Sequence, residues 1–393
     1  MAGLAMSAAV GMAQGAGKDP FLALMQKAAA QAKSHGGRFV PALSPAYQTV
    51  LSGAVDVKAM QAAGFAVVPW TADDAGTIKK LLALHVDGII SDRPDMLAAV
   101  VKEARAAAAG DAAEMAYLER LDLQGHRGGR GLRPENTLPA FEAGLDNGIT
   151  TIETDTGVTT DHQSLIWHDQ FLNPQSCRRA DGKPYTLENR VYTKDISLAE
   201  AQKTFICDKL HFGKEQTNDL KLSPVAVAFA EQEKMPSPYA PTHVAQLFRF
   251  VAFYEKWYES GAGKSRPEAA VRARTAKLVH FNLETKILPE GYSEARVQAD
   301  TQGVSLDALK AAGKVTEEAL AEGHTVGAEA FVDTLCGFIR EYKMEDRADV
   351  QSFDYRTLLL VQEKFPKVRT YYLTSSPRLL FTEFTPASLR AKQ

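Results

Sequence analysis

Eight short apolar runs, separated by helix-compatible stretches, constrain the fold of this chain more than any other feature of its sequence. The runs are FVPALSP, FAVVPWT, DGIISD, LQGHRG, TTIETDTGV, LVHFNLETK, ADVQSFD and VRTYYLTSS. Between them lie stretches such as TIKKLLALHV and YRTLLLVQEKFP, in which apolar residues recur at intervals of three and four. This alternation predicts a parallel sheet, and eight units fit a closed α/β barrel of the TIM (β/α)8 type. A doubly wound open sheet is the alternative.

Polar residues end most of these runs. The endings are His-Arg, Glu-Thr-Asp, Glu-Thr-Lys, Ser-Phe-Asp and Trp-Thr. In a (β/α)8 barrel the carboxyl ends of all strands meet at one face, where barrels of this type carry their functional sites. We therefore expect these side chains to share one site, and this common placement favours the barrel over the open sheet.

The charge balance and the hydropathy exclude several classes of partner. Lys and Arg number 45 against 48 Asp and Glu, which gives a formal net charge of −3. A nearly neutral chain without long basic runs lacks the positive surface that binds nucleic acid or an anionic membrane. No uninterrupted apolar run reaches the roughly 20 residues that a spanning helix needs. We expect no nucleic-acid partner and no integral membrane segment, and the sequence favours no particular oligomeric state.

The first twenty residues and the three cysteines bear on the cellular compartment. MAGLAMSAAVGMAQGAGKDP is rich in small apolar residues, but no Lys or Arg precedes its apolar part and glycines interrupt it, so we do not expect a cleaved signal peptide. Cys177, Cys207 and Cys336 are too few for a disulfide framework. We expect buried free thiols. The alternative is a bond between Cys177 and Cys207, which an oxidising compartment would allow.

One long stretch carries a family resemblance. GHRGGRGLRPENTLPAFEAGLDNGITTIETDTGVTTDHQSLIWHD contains His-Arg-Gly, Glu-Asn-Thr, Glu-x-Asp and His-Asp in that order. It resembles the glycerophosphodiester phosphodiesterase family, and FNLETK, VQSFDYRTL, VVPWT and VDGIISDRP match the remaining strand ends of that family. The resemblance covers most of the chain outside one insertion and the termini, and it implies a TIM barrel of the PI-PLC-like phosphodiesterase type.

The order of these motifs differs from that in the family. The Pro-Trp-Thr and DGIISD strands close the family's barrel, whereas here they stand at residues 67–71 and 87–92, ahead of His126. The resemblance therefore implies a circular permutation; the rival interpretation, a partial second barrel in residues 1–110, would repeat strands, and none recurs. We expect residues 1–393 to form one permuted barrel domain. Family strands six to eight would lie at 37–110, and the joined former termini at 111–121. Strands one and two would lie at 122–170, an insertion or lid at 171–276, and strands three to five at 277–380.

Three acidic residues suit a metal site. Glu153 and Asp155 are two apart on a strand, so both carboxylates point to the same face. Glu284 ends the next barrel strand. Three hard oxygen ligands without cysteine or paired histidine select one divalent cation, Ca²⁺ or Mg²⁺, over zinc. Alternating acids usually mark a solvated strand face, but the apolar flank and the family resemblance favour a metal site here.

Two histidines and three further residues complete the predicted site. His126 and His168 each end a strand beside a charged residue, and we expect them to be the catalytic proton-transfer pair. Arg127 offers a rigid fork of donors for phosphate oxygens, and Lys286 a point charge for the same group. Trp70 would form an apolar wall against the substrate, with core packing as the alternative.

The resemblance implies metal-dependent hydrolysis of a small glycerophosphodiester to sn-glycerol 3-phosphate and an alcohol such as choline or ethanolamine, with histidine acid and base catalysis. Two alternatives stay open: phospholipase-D-like or lysophospholipase-D-like cleavage of lipid head groups, and a catalytically inert phosphodiester-binding scaffold. The unpermuted parent would be periplasmic or secreted, and this chain would be cytoplasmic if it is made without a signal.

Three local features qualify the resemblance. His162 stands where the family's turn usually has Gly. Glu135 is expected to be a structural partner of Arg127 rather than a catalytic group. The segment 171–276 is longer than a barrel connection needs and could set the accepted alcohol. Its aromatic run HVAQLFRFVAFYEKWYESG has helical spacing, which favours core packing over a ligand box.

Overall fold

The computed structural model describes residues 19–391, apart from the side chains of residues 317 and 318. The N-terminal stretch 1–20, for which no cleaved signal peptide is expected, lies almost entirely outside the described residues. Within them, the strands are β1 (Ala42–Pro45), β2 (Gly88–Ser91), β3 (Asp122–Gly125), β4 (Thr151–Val158), β5 (Ser164–Ile166), β6 (Arg178–Arg179), β7 (Phe205–Ile206), β8 (His280–Thr285), β9 (Ala348–Ser352) and β10 (Thr370–Thr374).

The barrel is closed by eight parallel segments. Parallel pairing runs in the order β1, β10, β9, β8, β4, β3, β2. Residues 66–70 fill the gap between β2 and β1: the Val68 amide donates to the Leu43 carbonyl at 2.9 Å, and the Ile90 amide donates to the Pro69 carbonyl at 3.0 Å. This eighth segment closes the ring. The predicted (β/α)8 barrel is therefore confirmed, and the open-sheet alternative is wrong.

Helices surround the barrel. They are α1 (Pro20–Ser34), α2 (Tyr47–Leu51), α3 (Val57–Ala62), α4 (Ala75–Ala83), α5 (Pro94–Ala107), α6 (Ala112–Arg120), α7 (Leu138–Asp146), α8 (Leu198–Thr204), α9 (Pro224–Gln232), α10 (Val244–Glu259), α11 (Ala269–Leu278), α12 (Glu294–Gln302), α13 (Leu306–Ala311), α14 (Glu317–Leu320), α15 (Ala328–Glu341) and α16 (Tyr355–Lys364). Asp74 and Thr137 cap α4 and α7 by accepting from backbone amides of the first turn. Between residues 19 and 391, no helix has both the length and the apolar character to cross a membrane.

The strands bury both of their faces. Alternate residues such as Leu43, Ile89, Leu123, Phe281 and Val350 belong to the main core that the helices cover. The intervening residues point into the barrel. Around β1, β2 and β10 the interior is an apolar cluster of Ala42, Val68, Ile90 and Tyr371. Around β3, β4, β8 and β9 it is polar.

The polar half of the interior is a connected amide network. The Asn282 amide donates to Gln124 Oε1 at 3.0 Å and to Gln351 Oε1 at 2.9 Å. Gln351 Nε2 in turn donates to Glu153 Oε1 at 2.6 Å. Buried polar groups are stable only when they are hydrogen-bonded, and this chain of amides fixes the position of the Glu153 carboxylate.

The segment 171–276 has two structurally different parts. The first carries its own small core, which includes Leu172, Ile196 and Phe205, and the antiparallel pair β6 and β7. Cys177 and Cys207 flank this pair, with their Cα atoms 3.8 Å apart, and form a disulfide. The expectation of free thiols at these two positions was wrong, because antiparallel pairing brings residues 30 apart in sequence into contact.

The second part packs on the barrel. Phe250, Tyr254 and Tyr258 of α10 are buried in the main core. The expectation of core packing for the aromatic run is confirmed. Cys336 on α15 is a buried free thiol, as predicted. His162 adopts a left-handed φ of 53°, the backbone region that glycine usually occupies, so the turn is kept without glycine.

Candidate active site

A cavity of about 170 Å³ opens at the carboxyl ends of the strands. Its lining comprises Trp70, Thr71, Ile90, His126, Arg127, Arg130, Glu153, His168, Glu284, Lys286, Gln351, Phe353 and Leu373. Seven of the eight residues predicted from the sequence are in this lining. The eighth, Asp155, is fully buried beside it and lies 3.0 Å from Arg127. The strand-end residues therefore share one site.

Three carboxylates form the base of this site. Glu153 and Asp155 project from the same face of β4, and Glu284 lies opposite Asp155 in the register of β8. Each offers an oxygen within 4.8 Å of the other two. All three are buried, with exposed fractions of 1%, 0% and 6%. So much negative charge away from water needs compensating positive charge, from side chains or from a bound ion.

The donor set fits a hard divalent cation. Asp155 Oδ1 is buried and accepts no hydrogen bond from any residue that the structure describes, while its Oδ2 accepts from Asn136 Nδ2 at 2.9 Å. Burial and the neighbouring charges of Asp155 and Glu284 raise the pKa of Glu153. An unsatisfied carboxylate oxygen within an all-oxygen cluster suits Ca²⁺ or Mg²⁺.

Two cations face the carboxylates. Arg127 has a left-handed φ of 51°, which lets its backbone amide donate to Glu153 Oε2 at 2.8 Å while its guanidinium donates to Glu135 Oε2 at 2.5 Å. Glu135 is thus the partner of Arg127, as predicted. Lys286 Nζ donates to Glu284 Oε1 at 2.8 Å. Burial opposes the charged form of Lys286, but Glu284 and Asp155 outweigh it and raise the pKa of the amine.

Each histidine is held at Nδ1 by an aspartate. His126 Nδ1 lies 2.5 Å from Asp92 Oδ1, and its Nε2 lies 3.9 Å from Glu153 Oε2. His168 Nδ1 lies 2.7 Å from Asp169 Oδ1. Burial, together with the nearby charge of Arg130, lowers the pKa of His126 to about 4. The His126 ring is therefore neutral near pH 7, and its Nε2 faces the carboxylate cluster.

Trp70 stands in the wall of the cavity. Its ring meets Phe353 edge to face, with centroids 5.5 Å apart, and its indole nitrogen donates to the Ser44 carbonyl at 2.9 Å. Phe353 also lies beneath Lys286, whose Nζ is 5.9 Å from the ring centroid. This side of the cavity is apolar and faces the charged side formed by β3, β4 and β8.

Gln351, Asp92 and Arg130 are among the site residues that the sequence did not predict. Gln351 is the penultimate residue of β9 and Asp92 directly follows β2, both within recognised runs, so placement near a strand end was the signal that could have found them. Arg130 lies in the glycine-rich turn, and nothing in the sequence distinguishes it from an exposed arginine. Its Nε donates to Asp92 Oδ1 at 2.7 Å.

Comparisons with known proteins agree with these motifs. The model of the glycerophosphoryl diester phosphodiesterase family matches residues 11–96 and 126–259. The glycerophosphodiester phosphodiesterase of Bacillus altitudinis is 41% identical over 63 residues, which is 16% of this chain and 26% of that protein. The putative glycerophosphodiester phosphodiesterase YhdW of Bacillus subtilis is 33% identical over 78 residues, 20% of this chain and 28% of that protein. The matches thus span about a quarter of each curated relative.

Solved structures with related names are more distant. A putative glycerophosphoryl diester phosphodiesterase from Silicibacter pomeroyi has 20% identity and a TM-score of 0.40, and the match covers 64% of each chain. A phosphodiesterase from Oleispira antarctica, solved with the product sn-glycerol-3-phosphate, has 15% identity and a TM-score of 0.35 over 64% of this chain and 65% of that one. Because the family model alone matches more than half of the residues, the chain belongs to the glycerophosphoryl diester phosphodiesterase family.

Proposed function

We propose that the protein is a metal-dependent glycerophosphodiester phosphodiesterase that releases sn-glycerol 3-phosphate and an alcohol. One observation carries this proposal: two histidines, each with Nδ1 held by an aspartate, and a buried cluster of three carboxylates line or border the same small cavity. This combination supplies proton transfer and charge neutralisation at a single point, which phosphodiester cleavage requires.

Glu153, Asp155 and Glu284 would hold one divalent cation, Ca²⁺ or Mg²⁺. A bound ion would neutralise charge on the phosphate and lower the pKa of the attacking oxygen. The chain's own cations have a related role. Arg127 and Lys286 place two positive charges beside the cavity, where they would bind phosphate oxygens and keep the diester oriented.

His126 and His168 would move protons through Nε2. Since Asp92 and Asp169 occupy the two Nδ1 positions, Nε2 is the atom left to each ring for exchange with substrate. One ring would deprotonate the nucleophile, which is either a water or the glycerol 2-hydroxyl; the hydroxyl would give a cyclic phosphate intermediate that water then opens to sn-glycerol 3-phosphate. The other would protonate the departing alcohol oxygen.

The size of the cavity suits the glycerol phosphate part of the substrate. Its volume of about 170 Å³ is below the roughly 300–1,000 Å³ of pockets that enclose drug-sized ligands. Glycerol and one phosphate are small enough for such a space. The apolar wall formed by Trp70 and Phe353 would pack against the carbon skeleton of the glycerol or of the alcohol.

The first experiment is glycerol 3-phosphate release from glycerophosphocholine after EDTA treatment, with Ca²⁺ and Mg²⁺ then restored separately. We expect release only after one ion is restored, which would identify the ion. Cleavage of lysophosphatidylcholine micelles without cleavage of glycerophosphocholine would favour the lipid alternative. Saturable binding of glycerophosphocholine without turnover, in a folded protein loaded with either ion, would favour the inert scaffold.

We also propose that the strand order is circularly permuted. Residues 42–91 contribute three strands to the same barrel as residues 122–374, and β1 lies next to β10. The proposed junction of former termini, residues 111–121, is largely the surface helix α6. A rearranged chain that starts near Asp122 and joins the present ends through a linker should fold and show the same metal-restored activity. Failure of that chain to fold would count against the permutation.

The Cys177–Cys207 disulfide supports a proposed oxidising location, periplasmic or extracellular. Alkylation of the protein from its native cells without reduction, followed by mass spectrometry, should leave these two cysteines unmodified. Alkylation of both would instead indicate a reducing compartment.

A further inference from the structure

We propose that Asp92 is a positioning residue that holds the His126 ring in the tautomer with the proton on Nδ1 and the lone pair of Nε2 directed at the reaction centre. This inference rests on the function proposed for His126. The residue lies 34 positions before the histidine, at the end of β2, whereas His126 follows β3. The two turns adjoin because β2 and β3 pair in parallel, with Ser91 opposite Gly125.

The Asp92 carboxylate is also held by Arg130, through the same oxygen that faces His126. Its Oδ1 lies 2.5 Å from His126 Nδ1 and accepts from Arg130 Nε at 2.7 Å. An arginine can only donate, so it keeps this carboxylate ionised and oriented as an acceptor. An ionised acceptor facing Nδ1 requires the proton to be on Nδ1. The lone pair is then on Nε2, which lies 3.9 Å from Glu153.

The backbone of Asp92 is fixed from two directions. Its amide donates to Asp73 Oδ1 at 2.7 Å, and its carbonyl accepts from the Gly131 amide at 2.9 Å. A Cβ atom at Gly131 would lie 2.8 Å from that carbonyl oxygen and 2.7 Å from Arg93 Cδ. The glycine therefore permits the close approach of the turn after β3 to the turn after β2. This close contact explains why a glycine stands at position 131 of the turn.

The segment 171–276 contacts Arg130 and so stabilises its position beside Asp92. The Arg130 guanidinium carbon lies 4.3 Å from the centroid of the Phe212 ring, in cation–π contact. Gln216 Nε2 donates to the Arg130 carbonyl at 2.7 Å. The chain of contacts runs from the insertion through Arg130 and Asp92 to His126. Second-layer partners of this kind orient the groups that carry out the chemistry.

Asp92→Asn tests this role, with Asp95→Asn as the matched control. Asp95 lies three residues further on, in the first turn of α5, and pairs with Arg93. We expect Asp92→Asn to lower kcat about 100-fold or more and to change KM less than about threefold, because a neutral amide neither stabilises a protonated ring nor enforces the tautomer. Asp95→Asn should retain wild-type kinetics. Calorimetric titration with Ca²⁺ and Mg²⁺ alone should give unchanged affinity in both variants.

Nitrogen-15 NMR of the histidine rings supplies a readout that a merely structural role would not move. In the wild-type protein we expect Nδ1 of His126 to be protonated and Nε2 to be unprotonated. In Asp92→Ala the proton should be shared between the two nitrogens.

A wild-type ring protonated at Nε2, or a kcat of Asp92→Asn within threefold of wild type, would overturn the assignment. If Asp92→Asn does not fold, the wild-type tautomer still decides. If the wild-type protein turns over none of the substrates, the proposed function fails, whereas the tautomer measurement tests the positioning separately.

Discussion

The two histidine–aspartate pairs of the site are alike in geometry and different in construction. His168 and Asp169 are consecutive residues, and Asn173 Nδ2 supports the aspartate at 2.7 Å. His126 and Asp92 come from turns after two neighbouring strands, and Arg130 supports that aspartate. The side chains of the first pair are 29% and 23% exposed, those of the second 13% and 15%.

This difference shows how one barrel obtains two rings with unlike surroundings. A pair of adjacent residues in a partly open loop keeps solvent as an alternative partner. A pair assembled by strand pairing is enclosed by the turns on both sides, so each group depends on the other for its hydrogen bond. We call His126–Asp92 the enclosed pair and His168–Asp169 the local pair. We expect the enclosed pair to be more sensitive to a substitution than the local pair.

Loss of either ring should have the largest effect. His126→Ala and His168→Ala should each lower kcat at least about 1,000-fold, because the proposed chemistry needs both an acid and a base. Steady-state glycerol 3-phosphate release measures this loss, with circular dichroism and metal titration as controls for folding and ion binding. Appreciable residual turnover in His126→Ala would contradict its role.

The aspartate partners should separate the two pairs. Asp169→Asn should lower kcat about tenfold, against the loss of about 100-fold or more expected for Asp92→Asn, because water can replace the lost acceptor at the more exposed ring. The measurement is the kcat of both variants and of the double variant under the same metal conditions. Equal losses in the two single variants would remove the proposed distinction between the pairs.

The free energy of unfolding at acid pH should depend on the local pair, His168 and Asp169. Burial opposes ionisation of Asp169, but His168 and Asn173 outweigh it and lower its pKa to about 2. A carboxyl with a pKa lowered in the folded state stabilises the fold above its unfolded pKa, near 4, and loses that contribution as the pH falls to 2. Urea unfolding should show wild type losing about 1–2 kcal/mol more than Asp169→Asn between pH 4 and pH 2. Equal losses would show that the pair does not stabilise the folded state.

Loss of the contact between Phe212 and Arg130 should have the smallest effect. Phe212→Ala removes the ring beneath the guanidinium, a contact of about 0.5–1 kcal/mol, and should lower kcat about threefold through the enclosed pair. Phe212→Leu fills similar space without the π system and separates packing from cation–π attraction. If Phe212→Ala is without effect in an Asp92→Asn background, the two residues act through the same ring. Additive losses would show that they act independently.

The carboxylate cluster and the histidines were predictable because their signal is local. Glu153 and Asp155 share a strand face by alternation, and Trp70, His126, Arg127, Glu284 and Lys286 stand at the ends of recognised runs. His168 instead follows the short strand β5, which was not among those runs, and was found through the family motif His-Asp. The Cys177–Cys207 bond was not predictable, because a spacing of 30 residues says nothing about which turns pair.

The sequence by itself determined the alternation of strands and helices, the family motifs and the polar residues at strand ends, since these depend on side-chain periodicity and local turn chemistry. Only the tertiary structure decided that Asp92 holds His126, that Gln351 supports Glu153 and that Arg130 rests on Phe212. Each of these contacts joins residues far apart in the chain. Their meeting depends on the register of neighbouring strands and the closure of the ring, which local periodicity does not encode.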